Sequence, residues 1–565
     1  MRHTSNVPSW GDNGDGTYNA LILPADYSDP DPIRVGEDYY MVASSFMDAP
    51  GVPILHSRDL VNWEIISYAV PDTTVLSDDF SWRSMTGYGH GVYACSIRYH
   101  AGKYFVYIPV YPEGGLFVST ASDPRGPWTV EKIKDQYGQH VRHDGCRITD
   151  ICPFWDTDGK QYLVISHLSG SFPYDMDDVG PANMGQPAYL FAMNEAGNQL
   201  IECDSTSKET IGNTGILIRN THNTEGNKLY WHDGYYYFFN IDFVGRSSHG
   251  AGAYIRRSKY LFGSASEHEL DTPYTDYPVT HHAGYYEKRF LGNDSCIPTQ
   301  GGFVSTPDGR WFFIGQKNDG CAGGRRTWLV PVSCKDGWPI LGIDQDGDGT
   351  ADHSFLAGPK PVQDSTILPF QCSDHFDSTS LSPIWQWNHQ PRETHWSLTD
   401  RPDCLRLYAY PTADGTDDLW KVGNVLHQRF IDTERVCITV KMDIAGMANG
   451  QTAGITHFNG GTSYAAFGVS RKASAFTLIY TEDGQESQEA DLPSDIQTIW
   501  FKTTVKDHLA AFFFSLDSLH YQQIAQTYLV RWGKYRGDRI GVYTFNNCSE
   551  AGYVDVDTFE YQWTK

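Results

Sequence analysis

The chain has 565 residues, 40% of them hydrophobic, which is enough for two or three domains with sizeable cores. Its formal net charge of −26 repels dense negative charge, so we expect neither nucleic acid nor an anionic membrane as a partner. The sequence also lacks a run of about 18 apolar residues, the length that a membrane span needs.

The cysteines and the first residues bear on the compartment. The 11 Cys are odd in number and show no Cys-x-x-Cys spacing, which predicts reduced, mainly buried thiols rather than a disulfide framework. Residues 1–10 contain no apolar signal core. We therefore expect a cytoplasmic protein, or a secreted one whose leader has been removed.

Five copies of a hairpin signature, a Gly turn flanked by aromatic residues, follow one another along the chain. Their turn glycines are Gly36, Gly102, Gly159, Gly234 and Gly309. Such a turn between alternating apolar residues predicts a tight β-hairpin, and a further strand and turn follow, which gives about four strands per repeat. Five repeats predict a five-bladed β-propeller over residues 20–345, after an N-terminal extension over 1–19. Unrelated hairpins in a sandwich are the alternative.

Acidic residues precede three of these hairpins by similar distances. They are Asp29, Asp150 and Glu225, and the matching positions of the other two repeats hold Tyr93 and Gln300. The first strand of a propeller blade lines the central channel, so we expect these five residues to surround one pocket. Asp31 competes with Asp29, because two residues apart on a strand both side chains point to the same face.

The character of the chain changes after residue 345. Asp344–Asp352 is an acidic, Gly-rich turn whose Asp spacing resembles a calcium loop, but Phe355 stands where the bidentate acid is expected. We predict a solvated turn there, then a Pro-containing linker over residues 346–371. Short alternating segments such as Val436–Met442 and Arg539–Phe545 predict an all-β domain over residues 372–565, a sandwich.

A cluster of carboxyls in one pocket is typical of glycosidic bond cleavage. One protonated acid assists the leaving oxygen, and one carboxylate activates water or attacks the sugar. Acids on different blades can stand roughly 6.5–9.5 Å apart, the inverting distance. A third carboxylate raises the pKa of the acid by repulsion and keeps it protonated. Most of the 69 Asp and Glu are nevertheless expected to be solvated surface groups.

At these residues the chain resembles glycoside hydrolase family 43. The motifs that carry the resemblance are Leu23–Tyr40, Ile148–Gly159, Asn223–Tyr230, Asp374–His389 and Tyr553–Tyr561. The resemblance implies that Asp29, rather than Asp31, is the general base, that Asp150 modulates a pKa, and that Glu225 is the general acid. It implies an inverting mechanism on a five-bladed propeller with a C-terminal β-sandwich of jelly-roll, concanavalin-like type, as in the xylosidase and arabinofuranosidase branch.

The resemblance also implies a substrate class and further site residues. The expected activity is exo-acting release of α-L-arabinofuranose from plant-wall arabinoxylan or related oligosaccharides. β-D-xylosidase or dual activity is the alternative, and a non-catalytic carbohydrate-binding propeller is a remote one. Arg325 is expected to bind sugar hydroxyls beside Phe46, Tyr93 and Gln300. Relatives often hold a channel calcium with a His that Thr299 replaces here, so we expect that no metal or other cofactor is required, with a structural calcium as the alternative.

Overall fold

The computed structural model describes residues 10–111, 114–142, 147–168, 188–201, 210–211, 215–219, 224–242, 252–261, 287–293, 295–317, 322–364, 373–533 and 535–564. Residues 1–9 of the predicted extension and 365–371 of the predicted linker lie outside these ranges. The described elements are β-strands and 3₁₀ helices of three residues, which span Thr73–Val75, Asp78–Phe80, Glu393–His395 and Leu419–Lys421. In the described part of the chain, none of the helices has the length and hydrophobicity to cross a membrane.

The first strands and blades one to three follow one another along the chain. Ahead of blade one come β1 (Thr17–Asn19) and β2 (Leu21–Asp26). Blade one consists of β3 (Asp31–Val35), β4 (Asp38–Val42), β5 (Gly51–Ser57) and β6 (Glu64–Val70). Blade two consists of β7 (Gly91–Val92), β8 (Ser96–His100), β9 (Lys103–Tyr111), β10 (Gly115–Ala121) and β11 (Thr129–Lys132). Blade three consists of β12 (Arg147–Trp155), β13 (Gln161–Leu168), β14 (Ala188–Met193), β15 (Leu200–Ile201), β16 (Thr210–Ile211) and β17 (Gly215–Arg219).

Blades four and five complete the ring. Blade four consists of β18 (Thr224–His232), β19 (Tyr235–Asp242), β20 (Gly252–Ser258) and β21 (Glu287–Asn293). Blade five consists of β22 (Thr299–Ser305), β23 (Trp311–Lys317), β24 (Arg326–Lys335) and β25 (Trp338–Ile340), and β2 adds its outer strand by pairing with β24. The inner strands β3, β8, β12, β18 and β22 lie side by side, and β22 returns to β3. The predicted five-bladed propeller is confirmed.

All five predicted hairpins are present between the first two long strands of each blade. The turn glycines have φ angles from 66° at Gly36 to 84° at Gly159 and Gly309. This left-handed conformation is one that Gly adopts without steric cost, which explains why the signature could be recognised in the sequence.

The second domain is a sandwich of two antiparallel sheets. β26 (Ala357–Pro359) pairs with β1, so part of the predicted linker is joined to part of the predicted extension. The first sheet has the order β27-β30-β39-β32-β33-β34-β35 and the second β28-β29-β40-β31-β36-β37-β38. Their bounds are β27 (Gln386–Trp387), β28 (Trp396–Ser397), β29 (Leu405–Tyr408), β30 (Asn424–Arg429), β31 (Arg435–Asp443), β32 (Gln451–Phe458), β33 (Tyr464–Lys472), β34 (Ala475–Glu482), β35 (Gln485–Leu492), β36 (Thr498–Lys506), β37 (Leu509–Ser515), β38 (Gln522–Leu529), β39 (Arg539–Asn546) and β40 (Tyr553–Thr564).

Buried charges join the two domains. The Arg536 guanidinium donates a hydrogen bond to Asp48 of blade one. Arg539 lies 3.4 Å from Asp26 and 3.5 Å from Asp48, measured between nitrogen and carboxylate oxygen. Burial opposes ionisation of Asp48, but Arg536, His427 and Arg539 hold its pKa below the ordinary range. All four partners of this cluster, Asp26, Asp48, Arg536 and Arg539, are fully buried, so the domains form one unit.

We expect Asp48→Asn to lower the free energy of unfolding by about 3–5 kcal/mol, because it leaves the buried Arg536 guanidinium without its anion and removes one of the two anions beside Arg539. Urea denaturation followed by tryptophan fluorescence measures the change. Asp308→Asn, which removes an exposed partner of Arg310, is the control and should change little. Equal effects of the two substitutions would contradict the proposed importance of the buried cluster.

Candidate active site

Each blade of the propeller has one residue with a left-handed backbone in its inner strand or just before it. These are Asp29, Ala94, Asp150, Gly226 and Gln300, with φ angles of 54°, 46°, 49°, 70° and 47°. In blades three, four and five the register shifts at this point, which identifies a β-bulge. Such conformations are costly for residues other than Gly and concentrate at functional sites, where the surrounding structure maintains them.

The structure corrects the prediction that the five site residues occupy matching positions in their blades. Asp29, Asp150 and Gln300 occupy the left-handed position itself, as counting back from the hairpins predicts. Tyr93 and Glu225 instead come one residue before it, because blades two and four have Ala94 and Gly226 at the left-handed position. The count from bulge to hairpin differs between blades, so a fixed spacing could not distinguish the two positions.

Asp29 is buried, and both of its carboxylate oxygens are bound. One accepts a hydrogen bond from the Ser44 hydroxyl at 2.6 Å, and the other is 3.1 Å from the Arg325 guanidinium. The Asp29 amide donates to the Gln316 side chain at 2.7 Å, and Ser44 accepts from the Ala94 amide at 2.8 Å. Arg325 and Ser44 thus hold the Asp29 carboxylate in one orientation.

Asp150 and Glu225 form the second part of the site. Burial, and then the negative charges of Glu225 and Asp29, raise the pKa of Asp150 to about 7. Glu225 is partly exposed and accepts a hydrogen bond from the Gln300 amide at 3.0 Å. A Cβ atom on Gly226 would lie 2.9 Å from the Gln300 side-chain oxygen, so glycine leaves room for this contact.

Aromatic residues and Arg325 form the wall. Phe46 meets Tyr93 edge to face with ring centroids 5.1 Å apart, and the Arg325 guanidinium lies 5.9 Å from the Phe46 ring. The Tyr93 hydroxyl donates to the Gly89 carbonyl at 2.7 Å. All seven residues that the sequence predicts for the site therefore lie in one connected cluster.

The sandwich supplies a wall residue that sequence reasoning missed. The Tyr535 carbonyl accepts a hydrogen bond from Arg325 at 3.2 Å, and its ring lies 5.5 Å from Tyr93 in an edge arrangement. Trp532, about one third exposed, lies 6.3 Å from Tyr535. The sequence contains no local signal for this placement, because it depends on how the two domains pack. Ser44 was also missed, because its contact with Asp29 depends on how the chain folds back within blade one.

The channel layer below the pocket contains fixed cations. Asp31 is fully buried and accepts hydrogen bonds from the Ser96 hydroxyl, the Ile97 amide at 3.0 Å and Arg98 at 2.7 Å. The Lys228 ammonium lies 3.9 Å from the second oxygen of Asp31. Asp31 is therefore an internal counter-ion and does not face the pocket beside Asp29.

The residues of this channel do not fit a calcium ion. Calcium takes six to eight oxygen ligands, whereas Asp31 is already bound and Arg98 and Lys228 repel a further cation. Within the described ranges, the group with metal-ligand spacing is Asp344, Asp346 and Asp348, on the surface. In that turn Asp344 accepts hydrogen bonds from the Gly347 and Gly349 amides at 2.7 and 2.9 Å. A solvated turn stays our prediction there.

Comparisons with known proteins match both domains of the chain to one family of enzymes. Residues 18–339 match the model of glycosyl hydrolases family 43, and residues 373–562 match the β-xylosidase C-terminal concanavalin A-like domain. A β-xylosidase of Formosa agariphila is 29% identical over 98% of this chain and 92% of its own length. A non-reducing end α-L-arabinofuranosidase of Bacteroides ovatus is 28% identical over 69% and 65%. A variant of the GH43 protein BlXynB from Bacillus licheniformis, 23% identical, shares the fold over 97% of this chain and 100% of its own, with a TM-score of 0.71.

We expect Asp150→Asn to increase stability above neutral pH. Between about pH 4 and pH 7 the folded protein keeps a proton on Asp150, whereas the unfolded chain has released it. The contribution of Asp150 to the free energy of unfolding therefore falls as the pH rises through this range. Asn carries no ionisable proton, so the substitution removes this loss of stability. At pH 8 the free energy of unfolding of the variant should exceed that of the unchanged protein by about 2–4 kcal/mol. Urea denaturation at pH 4 and pH 8 measures it, with Asp233→Asn in an exposed hairpin as the control. A variant less stable than the unchanged protein at pH 8 would contradict the buried, protonated state.

Proposed function

This chain belongs to family 43 of the glycosyl hydrolases, and we propose that it is an exo-acting, inverting enzyme that releases terminal pentose from xylan-type oligosaccharides. The observation that carries the proposal is the presence of three carboxyls in one cluster with three different surroundings. Asp29 is bound by a guanidinium and a hydroxyl, Asp150 is buried, and Glu225 is partly exposed and held by an amide. Different surroundings give chemically similar groups different tasks.

Asp29 is the proposed general base. Its carboxylate accepts a proton from a water molecule, and the oxygen of that water forms a bond to the anomeric carbon as the glycosidic bond breaks. Arg325 and Ser44 keep the carboxylate oriented toward this water. Attack by water on the face opposite the leaving group inverts the anomeric configuration.

Glu225 is the proposed general acid, and Asp150 maintains its proton. The two carboxyls repel each other as anions, so the pair keeps one proton up to about pH 7, the pKa of Asp150. Glu225 is the more open of the two, and it transfers the proton to the departing glycosidic oxygen. Its hydrogen bond to Gln300 fixes the carboxyl during this transfer.

The aromatic residues that the sandwich domain places beside the site support the removal of sugars from the ends of the substrate. Tyr535 and Trp532 stand beside Tyr93 and Arg325 at one side of the pocket, where a long polysaccharide would otherwise continue. A pocket closed on one side accepts a terminal residue more readily than an internal one. We further propose that hydrolysis needs no metal, since Lys228 and Arg98 already supply positive charge below the acids.

For the sugar, β-D-xylose is our first candidate and α-L-arabinofuranose the second. A relative that matches almost the whole chain is named a β-xylosidase, which favours xylose over the arabinofuranose preference predicted from the sequence. The arabinofuranosidase relative supports the second candidate.

A panel of 4-nitrophenyl pentosides and arabinoxylan oligosaccharides tests the choice of sugar. We expect kcat/KM for the β-D-xyloside to exceed that for the α-L-arabinofuranoside, and the first-formed xylose to be the α-anomer by NMR. A β-anomer product would contradict inversion. A protein that releases no pentose from any of these substrates would support the non-catalytic alternative.

We expect Glu225→Gln to lower kcat on xylo-oligosaccharides by about 10²–10⁴-fold, because the leaving oxygen then departs without a proton. An aryl xyloside with a good leaving group needs less protonation and should lose much less activity. Asp29→Asn removes the base and should impair both substrates alike, which makes it the matched comparison. Equal losses on both substrates for Glu225→Gln would contradict its assignment as the acid.

A further inference from the structure

Two β-bulges lie next to each other at the boundary between blades three and four. The pairing of β12 shifts between Thr149 and Cys152, and the pairing of β18 shifts between Glu225 and Lys228. These two inner strands pack side by side, and each bulge contains one carboxyl of the acid pair. A bulge disrupts the ladder of strand hydrogen bonds, so the backbone groups of Asp150 need partners from elsewhere.

The side chain of Asn227 supplies such a partner from blade four. Its amide nitrogen donates a hydrogen bond to the main-chain carbonyl of Asp150 at 3.1 Å and another to the Ser166 hydroxyl. A carbonyl oxygen can only accept, so the amide must turn its NH₂ group toward Asp150. Asn227 and Ser166 are fully buried, and the Asn227 side-chain oxygen has no hydrogen-bond partner among the described residues. We call the two hydrogen bonds of this amide to blade three the Asn227 bridge.

The same short segment holds Asp150 at a second point. The Gly226 amide donates a hydrogen bond to the Asp150 carboxyl. Because Glu225 directly precedes Gly226, the segment that carries one acid binds the other acid at both its carboxyl and its main-chain carbonyl. Asp150 depends on such support, since its φ of 49° is costly for a residue with a side chain. The separation of the two carboxyls therefore depends on the Asn227 bridge.

We propose that Asn227 is a positioning residue for the acid pair, which holds the backbone of Asp150 at its bulge and thereby keeps the Asp150 carboxyl beside Glu225. Asn227 acts through Asp150 and does not itself transfer the proton. The roles of the two acids rest on the proposed function, whereas the bridge between the blades does not.

Loss of the Asn227 bridge should lower the pKa of Asp150, which burial and then negative charge raise in the unchanged protein. Charged groups face this carboxyl from several sides: Glu225 and Lys228 of β18, Asp29 of blade one and, beside the neighbouring Cys152, Arg98 of β8. Without the amide, Asp150 can turn away from Glu225, and water can enter the vacated space. Both changes favour the anion of Asp150, so the acid pair should release its proton at lower pH.

The pH dependence of kcat and kcat/KM on xylo-oligosaccharides tests the proposal in Asn227→Ala. We expect kcat to fall about 10- to 100-fold while KM changes less than about twofold, because the acid is misplaced and the sugar-binding wall is not. The alkaline limb of the kcat/KM profile should move down by about one pH unit. An aryl xyloside with a good leaving group needs less protonation and should lose much less activity.

Asn424→Ala is the matched control in the sandwich. Asn424 is also fully buried, its amide donates to the His395 and Tyr408 carbonyls at 3.1 and 2.8 Å, and its side-chain oxygen likewise has no partner in the described part of the chain. Its loss should lower stability without moving the alkaline limb. Ser166→Ala removes one partner of the Asn227 amide at the cost of a single oxygen atom, so it should move the limb in the same direction by a smaller amount.

Urea denaturation between pH 4 and pH 8 reports on Asp150 without any substrate. The fall in stability over this range should be smaller in Asn227→Ala than in the unchanged protein or in Asn424→Ala, because a lower pKa shortens the range in which only the folded chain holds the proton. An unchanged alkaline limb, or an unchanged fall in stability, would overturn the proposal. If Asn227→Ala does not fold, Ser166→Ala decides by the same two measurements. An unchanged protein that hydrolyses no pentoside would instead refute the proposed function, and the denaturation experiment would still decide the role of Asn227.

Discussion

The buried ion cluster between the propeller and the sandwich determines how the two domains sit against each other, and thereby where their residues meet at the site. Charged groups removed from water must be paired, so Asp26 and Asp48 bind Arg539 and Arg536 across the interface and restrict relative movement of the domains. Asp26 also accepts hydrogen bonds from the Gly537 amide at 3.1 Å and the Arg325 amide at 3.4 Å. One carboxylate therefore connects the loop that carries Tyr535 to the arginine that holds Asp29.

Backbone geometry, as much as side-chain chemistry, creates the acid cluster. Every blade has a left-handed residue in its inner strand or just before it, and in blades three, four and five a bulge interrupts the strand pairing there. Below the bulge the strands resume, and their side chains bring Asp31, Arg98 and Lys228 together in the channel. The acids thus sit above a layer whose charges are already balanced, and this layer gives the strained residues a rigid support.

Local features were predictable from the sequence, and features that depend on packing were not. The five hairpins carry their own signal because a Gly turn restricts the backbone at that point, and the repeat then predicted the propeller. Asp29, Asp150 and Glu225 were found by spacing, but spacing alone left Asp31 as a competitor and misaligned Tyr93 and Glu225 by one residue. Tyr535 and the charges around Asp48 join residues almost 500 positions apart. No pattern along the chain encodes such contacts.

The pairing of β2 with β24 has a consequence for biosynthesis. Leu21 lies opposite Trp328, so the ring is closed by a strand that precedes blade one and a strand of blade five, which is synthesised after the other four blades. Asp29 follows β2 directly, whereas Arg325 precedes β24. Both partners of this ion pair are therefore brought into position by the same closure event. A nascent chain that has not yet exposed β24 has neither a closed ring nor an oriented base, which delays the competent pocket until the propeller is fully translated.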